Sequence, residues 1–143
     1  MNIHLVQDLV PVSKRAGYKF VQRTVDDWAT GANKFDKPGE RLFGIVSKDG
    51  LIGVGGLSHD PYTDDSQVGR VRHLYIHEAH RRKGYATMLM KAIMEEARLH
   101  YRGLRLFTDN PDASLFYEVL GFKQTTDYKV SHTINFDDNY QTD

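Results

Sequence analysis

The chain has 143 residues, 40% of them hydrophobic, and its 19 basic and 19 acidic side chains leave a formal net charge of zero. That size and apolar content suit one globular domain over 1–143 with a real core, and balanced charge argues against nucleic acid held by bulk electrostatics. With no cysteine there is no disulfide, thiolate metal site or thiol nucleophile; no apolar run is long enough to cross a bilayer and Met1-Asn2-Ile3-His4 starts no leader pattern, so a soluble cytoplasmic protein with no membrane partner is expected.

Ile3 to Val6 is a short candidate strand. Val12 to Thr30 reads as one or two helical pieces broken near Gly17, and Gly31 to Glu40 as a loop rich in Gly, Asn, Asp and Pro. Leu42 to Ser47 and Leu51 to Leu57 are predicted strands joined at Lys48-Asp49-Gly50, a hairpin signal. A polar connection, His59 to Ser66, leads into a strand over Gln67 to His77.

A helix begins near Gly84. Tyr85, Met88, Leu89, Ala92, Ile93 and Ala97 recur at helical spacing as its buried stripe, with Lys91, Glu95, Arg98 and Arg102 on the wet face. Glu96 interrupts the stripe without explanation, and Gly103 suits the helix stop. Gly103 to Thr108 is strand-like. Asn110 can cap the next helix, Pro111 fits its first position and Gly121 its end. Phe122 to Asp127 and Lys129 to Asn135 are the last predicted strands, and 136–143 is a frayed tail. Strands followed by strand–helix–strand give a mixed α/β sheet.

The turn Arg81-Arg82-Lys83-Gly84-Tyr85-Ala86 carries the first functional signal. It joins a β-branched and aromatic strand to a helix whose first amides lack internal partners and carry partial positive charge, which favours an anion such as phosphate. Gly84 and Ala86 allow close backbone approach. Arg81-x-x-Gly84-x-Ala86 resembles the [Gln/Arg]-x-x-Gly-x-[Gly/Ala] signature of the GNAT superfamily of N-acetyltransferases. Asn110-Pro111-Asp112-Ala113-Ser114-Leu115-Phe116-Tyr117-Glu118-Val119-Leu120-Gly121-Phe122 is similar to that superfamily's Asn-x-x-Ala-x-x-Phe-Tyr-x-x-x-Gly-Phe element. The likeness covers roughly residues 68 to 124.

The resemblance implies a single-domain α/β fold: a mostly antiparallel mixed sheet flanked by helices, its fourth and fifth strands splayed. It further implies acetyl-CoA, with the pyrophosphate on Arg81, Arg82, Lys83, Gly84, Tyr85, Ala86 and Thr87. The pantetheine arm would pair with Leu74, Tyr75 and Ile76 like an added strand, where a free amide is an oxyanion donor. Asn110, Ala113 and Tyr117 share one helical face; Asn110 would bond the pantetheine amides, Ala113 and Phe116 would line the arm, and the Tyr117 hydroxyl would protonate the departing thiolate.

Many superfamily members place Glu four residues before the position of Leu74. This chain has Arg70 there, and arginine cannot act as a base. His73, His77, Glu78, His59, Asp60 or a water chain are the substitutes. Period-two alternation puts Arg70 on one strand face with Arg72, Leu74 and Ile76, at the mouth of an acceptor site with Trp28 and the Phe35 region, which favours amines that also carry an acidic group. His73, His77 and His80 make no metal site, since residues 73 and 77 on a strand stand about 13 Å apart. Gly53-x-Gly55-Gly56 is not followed by a helix, so it is no dinucleotide fingerprint.

The expected function is direct acetyl transfer from acetyl-CoA to a primary amine of a small molecule or peptide, by a monomer or homodimer. The alternative is a catalytically silent acyl-CoA-binding sensor or regulatory module.

Overall fold

The computed structural model describes residues 22, 25–26, 29–31, 35, 37–47 and 50–136. The candidate strand Ile3 to Val6, most of the predicted N-terminal helical stretch, Trp28, Lys48-Asp49 and 137–143 lie outside the described residues.

From Arg41 to Asn135 nine elements follow in order among the described residues: β1 Arg41–Ser47, β2 Gly50–His59, β3 Val68–Ile76, a 3₁₀ turn Glu78–His80, α1 Tyr85–Arg98, β4 Gly103–Leu106, α2 Pro111–Val119, β5 Lys123–Asp127 and β6 Val130–Asn135. The six strands form one sheet ordered β1-β2-β3-β4-β6-β5. All its pairings are antiparallel except β3 with β4, which α1 joins as the parallel crossover. Among the described residues no helix is long and apolar enough to cross a membrane.

α1 packs chiefly on β2, with further contacts to β1 and β3. The glycines of β2 let it approach. A Cβ at Gly53 would lie 2.7 Å from Ile76 Cδ1, and one at Gly55 would lie 3.0 Å from both Ile93 Cδ1 and Leu74 Cδ1. The glycine run therefore serves close packing of backbone against side chains. One continuous core joins Leu57 and Val71 of the sheet, Met90, Ile93, Met94 and Ala97 of α1, and Leu104, Tyr117, Phe122 and Ile134.

The buried stripe of α1 is Leu89, Met90, Ile93, Met94 and Ala97. Met88, expected inside, is 57% exposed, because the stripe is rotated toward Met90 and Met94. Glu96 finds its explanation in ion pairs with Arg41 at 3.1 Å and His100 at 2.9 Å. Gly103 does not stop the helix, which ends at Arg98. Instead it starts β4, where a Cβ would meet the Ile134 carbonyl oxygen at 2.5 Å. The second helix matches its cues: Asn110 accepts from the amides of Asp112 and Ala113, Pro111 opens the helix, and Gly121 takes φ +106° beyond its end. Phe136, at the start of the predicted tail, is buried and donates its amide to the Arg102 carbonyl.

Candidate active site

The cleft arises from a pairing that stops early. β3 and β4 are in register only over Val68–Gly103, Gly69–Leu104 and Arg70–Arg105. β3 then runs on to Ile76 while β4 ends at Leu106, so the strands part and, among the described residues, no strand pairs with the β4-side edge of β3 beyond Arg70. The opening is a cleft of about 800 Å³. Residues 70–76 of β3 line it, as do the turn ahead of α1, residues 106–108 beyond β4, and Asn110, Asp112, Ala113, Phe116 and Tyr117.

The turn is shaped for an anion. Arg82 and Gly84 both take left-handed backbone, at φ +63° and +83°. Gly84 is the N-cap of α1 and supplies no side chain to the helix end; the first amide satisfied within the helix is that of Met88, donating to Gly84 O at 3.1 Å. The amides of Tyr85, Ala86 and Thr87 precede it, at the positive end of the helix dipole. A Cβ at Gly84 would meet no protein atom within 4 Å, so its glycine answers the positive φ and leaves the space beside the turn open. Arg81 is held by its Nε bond to the Ile76 carbonyl at 2.9 Å and lies over the Tyr75 ring at 5.3 Å. Of the residues expected to hold the cofactor, Leu74, Tyr75, Ile76, Arg81, Arg82, Gly84, Tyr85, Ala86, Thr87, Asn110, Ala113, Phe116 and Tyr117 all line the cleft, and Lys83 does not.

Tyr117 is 7% exposed. Its ring stands 5.2 Å from Phe116, 5.7 Å from Phe122 and 6.2 Å from His132. The imidazole of His132 is fixed between Ser114 Oγ at 2.9 Å and Ser131 Oγ at 2.8 Å. Burial pushes the phenol up from its ordinary value, so Tyr117 is protonated at neutral pH. Asn110 spends its side-chain oxygen on the helix cap; only its amide NH₂ remains to meet a ligand.

Two expectations about β3 are corrected. The strand alternation breaks between Arg72 and Tyr75: Gly56 pairs with Arg72 and Val54 with Tyr75, so β3 carries one extra residue there. His73 takes φ +60° at that point, a β-bulge that inverts the faces. Arg70 and Arg72 therefore share a face with each other but not with Leu74 and Ile76, whose side chains reach Gly55 and Gly53 under α1. Second, Arg70 is no free cation at a mouth. It is 7% exposed, 3.4 Å from Asp60 Oδ1, hydrogen-bonded to the Lys129 carbonyl, and 4.7 Å from the centroid of Tyr62. Desolvation by burial lowers its pKa, with the adjacent Asp60 opposing that shift.

Tyr62, His80, Leu106, Phe107, Thr108 and Asp112 also line the cleft and were not anticipated; Arg72, which alternation put beside Arg70, lines it too. Phe107 and Thr108 followed from the strand end ahead of the Asn110 cap. Nothing local in the sequence brings Tyr62 to the site. Among the described residues no cluster of His, Asp and Glu could hold a metal ion.

A mixed sheet parted at its centre, with open helix amides at one end of the gap and a capped second helix beside it, is the architecture of an acetyltransferase. Residues 5–122 match the acetyltransferase (GNAT) family, and the chain belongs to that family. A crystal structure assigned as an acetyltransferase from Exiguobacterium sp. 255-15 superposes with a TM-score of 0.82 at 29% identity, over 94% of this chain and 89% of the other. An N-acetyltransferase from Staphylococcus aureus Mu50 gives 0.71 at 15% identity over 94% of each chain. A spermidine N-acetyltransferase chimera from Vibrio cholerae and hSSAT gives 0.61 at 16%, over 93% of this chain and 89% of that one. The last two likenesses show the fold alone. No match was found among curated proteins.

Proposed function

We propose that this chain transfers an acetyl group from acetyl-CoA directly to a primary amine of a small molecule or peptide. The observation that carries the reading is the parting of β3 from β4 beyond Arg70, with the amides of Tyr85, Ala86 and Thr87 and the Tyr117 phenol on one cleft. In the reaction a nitrogen–carbon bond forms and the carbon–sulfur bond breaks, while the amine gives up a proton and the thiolate takes one.

Every requirement except a base for the amine has a residue in this chain. The turn amides and Arg82 hold the pyrophosphate, and the β4-side edge of β3 at Leu74 to Ile76, which lines the cleft, runs beside the pantetheine arm. Space beside Gly84 and the small Ala113 side chain fit such an arm. Tyr117 donates the proton to sulfur. A raised phenol pKa keeps the donor protonated, and it makes full transfer to a departed thiolate of ordinary pKa near about 8.5 uphill.

The second reading, a silent acyl-CoA-binding module, draws on one observation: where many relatives carry a glutamate, Arg70 is locked to Asp60. Both readings predict CoA binding; only turnover separates them. An amine panel assayed for CoA release is the test. Release with any acceptor supports the enzyme, and CoA binding without release across the panel supports the silent module.

A further inference from the structure

Four arginines line the cleft: Arg70, Arg72, Arg81 and Arg82. Three have an account. Arg81 is bonded to the Ile76 carbonyl and Arg82 stands in the anion turn. Arg70 is paired with Asp60, whose other oxygen faces Arg105 at 3.8 Å, and Arg105 in turn reaches Asp127 at 3.6 Å. Asp60 and Asp127 are thus taken by Arg70 and Arg105.

Arg72 is left over. It is half-buried on the cleft wall and makes no ion pair or hydrogen bond among the described residues. Its charge is felt at Arg70, whose pKa it helps to lower. Asp112, the one carboxylate among the lining residues, sits on α2 and forms no ion pair with it. A partly desolvated cation is ordinarily paired; the described residues supply Arg72 with no partner, and the cleft supplies it with access. Arg72 stands on the β3 face that turns away from α1, two residues ahead of Leu74 and just before the bulge at His73.

We propose that Arg72 is the specificity-determining residue for the acceptor, and that the acceptor is an amine bearing a carboxylate a few bonds from its nitrogen. This rests on the acetyl-transfer reading above. The guanidinium fork would take the carboxylate in a bidentate pair, which orients the nitrogen toward Leu74 and disfavours polycations. Arg70, whose position first suggested an acidic acceptor, keeps the wall rigid through Asp60.

The test uses the full chain. Short ω-amino acids and their carboxamides, matched in amine basicity, are compared as acceptors alongside spermidine, in the wild type and in Arg72→Gln and Arg72→Lys. The acids are expected to exceed their amides in kcat/KM by about 10- to 100-fold, the size of a charged pair. Arg72→Gln should erase that ratio through KM with kcat kept, since the contact is uniform binding, and Arg72→Lys should restore part of it. In parallel, titration of CoA-loaded protein with the N-acetylated acid should show binding that weakens at least about tenfold in Arg72→Gln. Acetylation of spermidine or the amides as fast as the acids overturns the proposal, and so does an unchanged ratio or unchanged binding in Arg72→Gln. Failure to acetylate any amine would count against the transfer reading, and the titration would still decide the role of Arg72.

Discussion

Tyr117 shows how one side chain can serve packing and chemistry together. Its ring is part of the core between Phe116, Phe122 and His132, and the same residue lines the cleft. Its hydroxyl makes no hydrogen bond among the described residues, and burial holds it protonated. Removing only the oxygen should leave the packing in place. Tyr117→Phe is therefore expected to keep the wild-type melting temperature and the cofactor-induced rise in it, while turnover drops by about 10²–10⁴, as for a lost general acid. Steady-state rates with any competent amine check this; wild-type turnover in the variant would make Tyr117 a packing residue alone. Because the phenol is pushed upward, it does not titrate in the neutral range, and no loss of kcat below about pH 10 should trace to it.

The turn and helix that open the cofactor side of the cleft depend on a single left-handed glycine. Gly84 at φ +83° has open space around its missing side chain, so a substitution there meets two separate penalties. A β-branched residue strains in left-handed backbone by about 1–2 kcal/mol, and its methyls enter the space beside the free amides. Gly84→Val should lower the melting temperature modestly and remove most of the shift on adding CoA, which in the wild type corresponds to about 2.7 kcal/mol at 100 times the dissociation constant. A wild type that shows no shift at millimolar CoA would sink the cofactor assignment itself. This element was readable from sequence, as was α2, because helix ends are written in local residues: α1 begins beside Gly84, and Asn110, Pro111 and Gly121 each occupy the position expected of them. Gly103 misled because a glycine after a helix also fits a strand start, and here the close Ile134 carbonyl decides. The bulge at His73 had no signal, since the extra residue exists only relative to its partner strand. The same holds for Arg70: its partners Asp60 and Lys129 come from two other connections, and only the assembled sheet brings them together.

Across the molecule, buried polar side chains tie the sheet to its connections. Tyr101, following α1, donates its hydroxyl to the Gly39 carbonyl at 2.7 Å; desolvation, with Glu40 adding to it, raises its pKa to about 12. Below pH of about 10 the phenol is protonated in both folded and unfolded chains. Above that the unfolded chain releases its proton first, so stability present at neutral pH is lost progressively as pH climbs through about 12. Thermal melts between those limits should fall more steeply for the wild type than for Tyr101→Phe, which at pH 7 gives up about 1 kcal/mol with its hydrogen bond. The larger tie is Asp60. Its carboxylate is fully buried, accepts from the Tyr62 amide at 3.1 Å and pairs with Arg70, while Arg70 reaches across to the Lys129 carbonyl. The β2–β3 connection, β3 and the β5–β6 turn are thus joined through one buried charge pair. Taking away one member leaves the other charged in a desolvated site, so Asp60→Asn should cost about 3–5 kcal/mol. Replacing both members at once, Asp60→Leu with Arg70→Met, should cost less than the two single changes added together. A double-mutant cycle in urea measures the coupling. Strict additivity would mean that Arg70 is held by Tyr62 and Lys129 rather than by Asp60.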